Sequence, residues 1–107
     1  MFGFFTKKEM DKAAAERFWQ WFVEKEEWII ETYKTKGMAV VWAVDEQIKP
    51  VFPYFKKELE FQLGFSNGKG EFFFFHLNDK NLIRDSAALE SMMPETLKER
   101  WTYISEE

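Results

Sequence analysis

The apolar pattern of this chain predicts an α+β fold in the order α-α-β-β-α-β, with the helices packed on one face of a small, mainly antiparallel three-stranded sheet. Three observations predict it. A long amphipathic run from Thr6 to Tyr33 carries the aromatic cluster Phe18-Trp19-Gln20-Trp21-Phe22. Leu59 to Phe65 alternates apolar and polar residues, and turn-forming residues separate it from a second apolar stretch. Pro50, Pro53 and Pro94 fall between these segments, where they interrupt no regular hydrogen bonding.

The first run starts with Thr6-Lys7-Lys8-Glu9, which has the spacing of a capping box, with Phe5 and Met10 in staple positions. Gly37, after Lys34 and Lys36, is the expected stop. At about 100° per residue, Ala14, Phe18, Trp21, Phe22, Trp28, Ile29 and Tyr33 share one side. Trp19, Val23 and Ile30 widen that side beyond an ordinary stripe. Such a helix lies in a groove between two layers or offers its Trp19/Ile30 flank to a partner. Lys25 and Glu26 intrude on the apolar arc, as side chains snorkelling from its edge or as a charged pair at a site.

From Met38 to Lys49 propensity and spacing disagree. Val40, Val41, Trp42 and Val44 favour a strand by type. Yet Val40, Val41, Val44, Ile48 and Val51 fall on one helical face, so the segment is expected to be a second helix ended by Pro50 and Pro53. Trp42 then stands among polar positions, as an interface residue or a cover over the sheet. Ser66 to Gly70 reads as the turn of a hairpin whose second strand runs from Glu71 to Leu77. Phe72-Phe73-Phe74-Phe75 is apolar on both faces, which places that strand centrally or under cover on both sides. Leu82, Leu89 and Met93 define a third helix closed by Pro94. A polar connection through Arg100 leads to a last strand, Trp101 to Ile104.

The 107 residues amount to a single domain. Aromatics make up 20% of them, led by 13 Phe, more than a domain this small hides easily, so an exposed aromatic patch or a homodimer is expected. A net charge of -4 removes the electrostatic drive for binding nucleic acid. With no cysteine, disulfides, thiolate nucleophiles and sulfur-ligated zinc are excluded. Met1 to Phe5 is too short for a membrane span or a signal core, and reads as an edge segment or staple, with a weak interfacial anchor as the alternative. A cytoplasmic protein follows as the expectation.

The combination of Phe18-Trp19-x-Trp21-Phe22, a hairpin whose second strand begins Gly70-Glu71-Phe72, a helix, Pro94 and Trp101 resembles a bacterial family of uncharacterised α+β domains. The likeness covers about Ala14 to Ile104, although Phe72 to Phe75 stand where that family tends to carry charged or small residues. It implies a fold and a bacterial origin, and no activity or catalytic residue.

No stretch matches a catalytic, metal or phosphate motif. Gly64 to Gly70 has one residue too few for a phosphate loop and is followed by a strand. Lys69 to Phe75 approaches an RNA-binding strand motif but puts Glu71 where a stacking aromatic belongs. His76, the one histidine, has no evident partner or companion ligand. No cofactor is expected. The leading expectation is a non-enzymatic module that binds a protein partner or itself through Trp19, Ile30 and Trp42. The alternative is a small-molecule binder or enzyme with an aromatic-lined pocket where Lys25, Glu26 and His76 converge.

Overall fold

The computed structural model of the chain describes residues 8–107. Thr6 and Phe5, half of the expected cap and staple, lie outside them. The first helix, α1 (Lys12–Tyr33), starts later than the capping box implies: Glu9 and Met10 are not helical. Asp11 is the cap, and its carboxylate accepts from the Ala14 N–H at 3.1 Å. Asp11 also donates its own N–H to the Val51 carbonyl at 2.9 Å, which ties the helix start to the end of the next segment.

Helical spacing prevails over β propensity in the second segment. Helix α2 (Gly37–Ile48) buries Val40, Val44 and Ile48 completely, and a 3-10 turn at Lys49–Val51 extends it. Gly37 opens α2 instead of only closing α1. The reversal before it is held by the N–H groups of Thr35 and Lys36, which both donate to the Thr32 carbonyl.

The hairpin joins β1 (Glu60–Ser66) to β2 (Lys69–Phe75) through a two-residue turn. Asn67 and Gly68 both have positive φ, 55° and 79°, the pairing such a turn requires. Helix α3 (Lys80–Ser91), capped by Asp79, and a single turn α4 (Glu95–Lys98) then carry the chain back to the starting end of β2. The last strand, β3 (Trp101–Glu106), therefore pairs with β2 in parallel, with Gly70 opposite Trp101. The sheet has the order β1-β2-β3 and is mixed, with one antiparallel and one parallel pairing.

All the helices lie on one face of this sheet. Phe18 and Phe22 of α1 meet Phe72, with centroids 6.1 Å and 6.5 Å apart, and Phe22 stands edge-on to Trp101 at 4.9 Å. Phe52 tilts against Phe74 at 5.2 Å, and Ser86 of α3 hydrogen-bonds Ser105 of β3 at 2.9 Å. Strand alternation puts all four of these sheet contacts on the same side. The phenylalanine-rich strand is central, as expected, but covered on one side only: Phe72 and Phe74 are buried, whereas Phe73 and Phe75 on the outer face are half-buried.

Candidate interaction surface

Helix α2 turns three valine-type positions inward and leaves the opposite side without cover. Its buried residues recur at four-residue steps, and Trp42 stands two residues off that line, about 200° around the helix. Trp42 is 67% exposed and Met38, one turn earlier, 59%. Beside them runs β1, an edge strand of the sheet. A hollow of about 310 Å³ separates the two elements, lined by Met38, Val41, Trp42 and Asp45 from α2 and by Leu59 and Phe61 from the other wall. Its acidic rim includes Glu58 and Glu60. Asp45 is held by Lys49 at 3.0 Å, and this hydrogen bond raises the lysine pKa.

A second, smaller hollow of about 200 Å³ lies on the α1 side of α2, between Trp21, Lys25, Trp28 and Ala43. Trp28 is 40% exposed, although the helical arc puts it with the core residues. The long helix is wider in its apolar arc than the sheet is in its reach, so the Trp28 end of the arc faces outward beside α2.

Of the three residues expected at an interface, Trp42 is exposed, Ile30 is half-buried against the core, and Trp19 is buried at 3% exposure. Trp19 is held there by its indole N–H, which donates to the Leu89 carbonyl at 2.9 Å, and by the Phe18 and Tyr103 rings. Trp19 meets α3 and β3, so its partner is this chain's own third helix.

Lys25, Glu26 and His76 do not converge. Lys25 is exposed beside the α1–α2 hollow. Glu26 is buried and accepts two hydrogen bonds from the Arg100 guanidinium, at 2.7 Å and 2.8 Å, and one from the Trp101 indole at 3.0 Å. The arginine bond, with the indole bond behind it, lowers the Glu26 pKa against the opposing effect of burial. Trp101 pairs with Gly70 at one end of β2, while His76 follows the other end and accepts the Asn78 N–H on its Nδ1. A pocket formed by these three residues is thereby excluded. Glu26 belongs to a charged pair, but its partner is Arg100 and not the neighbouring Lys25.

Two clusters carry no local sequence signal. Arg100 meets Glu26 across 74 positions, and the only hint is a carboxylate intruding on an apolar arc. Tyr54 donates to the buried Asp85 at 2.7 Å, and Arg84 grips the same carboxylate through Nε and Nη2. Burial, reinforced by that hydrogen bond, raises the Tyr54 pKa, so the phenol stays protonated. This cluster ties the irregular segment after Pro53 to α3, and every one of its charges is paired.

Among the described residues, no three His, Asp or Glu side chains gather as a metal site would require. No described helix is long and apolar enough to cross a membrane. No family model, curated protein or solved structure matches the chain.

Proposed function

We propose that this domain is a non-enzymatic interaction module that binds a protein partner through the surface between α2 and β1. The observation that carries the reading is the exposure of Trp42 and Met38 on a well-packed helix, next to a hollow and an edge strand. An indole exposed to this extent gains apolar burial only when something covers it, and aromatic anchors dominate the energy of protein interfaces. The charged groups support binding over catalysis: the two buried ones, Glu26 and Asp85, are occupied by arginine partners, and neither faces this hollow. The likeness of the Phe18-Trp19-x-Trp21-Phe22 helix to a bacterial family of uncharacterised α+β domains is part of the same proposal, as is a cytoplasmic site of action.

Affinity capture from extracts of the source cells, with wild type and a Met38→Ser/Trp42→Ser double variant, tests the reading. A protein retained by wild type and lost from the variant, with the circular dichroism and melting of the variant unchanged, is the expected result. Identical captures by the two proteins would overturn it. Light scattering on the purified chain reads the self-association form: a dimer that the double variant dissolves assigns the surface to a second copy.

A further inference from the structure

Resting on that reading, we infer that the occupant of the hollow is an extended segment of another protein, which adds to β1 as a fourth strand and alternates apolar with basic side chains. The direction in which β1 presents its backbone comes first. Ser66 and Lys69 flank a two-residue turn and form its hydrogen-bonded pair, so Glu60, Gln62 and Gly64 also bond inward to β2. Phe61, Leu63 and Phe65 therefore turn their N–H and C=O groups away from the sheet. The Tyr33 hydroxyl confirms this direction by donating to the Leu63 carbonyl at 3.0 Å from outside. Tyr33 thus closes the turn end of the edge. Among the described residues, nothing hydrogen-bonds the outward N–H and C=O of Phe61, the residue that lines the hollow.

Side-chain alternation then sets the chemistry of the guest. Phe61 and Leu63 point toward the helices, so the residue of an added strand opposite Phe61 projects into the space beside Met38 and Trp42. Apolar residues suit that side. The intervening residues join the outer face, where their neighbour on β1 is Glu60; Glu58, just before the strand, adds a second carboxylate at the rim of the hollow. Neither carboxylate has a hydrogen-bond partner or ion pair among the described residues, so lysine or arginine there gains a cross-strand attraction. Main-chain pairing with alternate side-chain pockets is an established route to peptide recognition. A second copy of this chain fits less well. Antiparallel self-pairing about Phe61 would oppose Glu60 and Glu58 to the uncharged Gln62 and Gly64 of the copy, leaving four acids without cations.

The probe is an eight-residue peptide of alternating valine and lysine, acetylated and amidated, titrated into the full chain and followed through backbone amide NMR signals. Saturable binding is expected, with the Phe61 amide becoming protected from hydrogen exchange and Trp42→Ser weakening the complex. Replacing lysine by glutamate, or N-methylating the valines whose N–H groups face β1, is expected to weaken binding at least about tenfold. Binding that survives N-methylation yet is lost in Trp42→Ser would sink strand addition while leaving the Trp42 surface intact. Absence of binding by the parent peptide would also overturn the inference, and so would a wild-type dimer that Trp42→Ser dissolves. The capture experiment judges the broader reading separately.

Discussion

Two seams of this molecule use the same kinds of residue to opposite ends. Between α1 and the sheet, Phe18, Trp19 and Phe22 meet Phe72, Trp101 and Tyr103, and all six are buried. Between α2 and β1, Met38 and Trp42 face Leu59 and Phe61 across an open hollow. The difference lies in what spans the gap. Helix α1 lies over the central strand with a neighbour on either side, so its rings meet side chains from β2 and β3 and a backbone carbonyl from α3. Helix α2 packs against α1 and leaves its far side at the sheet edge, where, among the described residues, no further strand follows β1. A residue's type therefore does not decide whether it is core; its distance from the middle of the sheet does.

The sharpest way to break this contrast is to delete one ring from each seam. Phe22→Ala removes a side chain at 1% exposure from contact with Phe18, Phe72 and Trp101. A loss of about 3–5 kcal/mol in unfolding free energy is expected by denaturant titration, because a rigid surround collapses only in part. Gly70→Ala ranks next. A Cβ at this position would come 2.5 Å from the Trp101 ring, which its hydrogen bond to Glu26 holds in place. Overpacking of about 1–3 kcal/mol is expected from the same titration.

Glu26→Gln probes the charged lock at the edge of the buried seam. Gln removes the charge and one of the two acceptors that Arg100 uses, and the arginine end is half exposed, so a loss of about 1–2 kcal/mol is expected. Its pH dependence is a stricter check. Arg100 and Trp101 lower the Glu26 pKa in the folded chain from the ordinary value of 4.5. The stability this provides is complete above that value and is lost as pH falls through the lower folded value. Below pH 4.5 the wild type and Glu26→Gln should thus converge in stability. A gap that stays constant into acid would assign the effect to packing rather than charge.

What could be read in the sequence follows the range of each interaction. Helices and hairpin announce themselves over windows of a few residues: Val40, Val44 and Ile48 at four-residue steps, and the Leu59–Phe65 alternation before Asn67-Gly68. Long-range choices do not. Whether β3 runs parallel to β2 depends on the end at which α3 and α4 return the chain, and the apolar pattern of Trp101 to Ile104 is the same either way. Trp19 and Trp42 are equally aromatic, and only the placement of α3, which supplies the Leu89 carbonyl, separates a core indole from an exposed one. Glu26 stood out as a charge on an apolar arc, but its partner 74 positions away left no trace in local spacing. The helix start shifted for a related reason: Asp11 and Thr6 are both good caps, and the bond from Asp11 N–H to Val51 selects the later one.

The smallest expected effect on stability belongs to the open seam. Trp42→Ser removes a side chain that is 67% exposed and makes no hydrogen bond among the described residues, so unfolding free energy should change by no more than about 0.5 kcal/mol. Serine has a lower helix propensity than leucine or alanine but one close to tryptophan, which leaves α2 itself unaffected. If Trp42 instead costs as much as Phe22, the indole is part of the core in solution, and the two seams are one. If stability holds while partner capture is lost, the same substitution separates folding from recognition. That combination is what distinguishes an interaction surface from an incompletely packed edge, since an edge that binds nothing loses neither stability nor a partner when its largest side chain is removed.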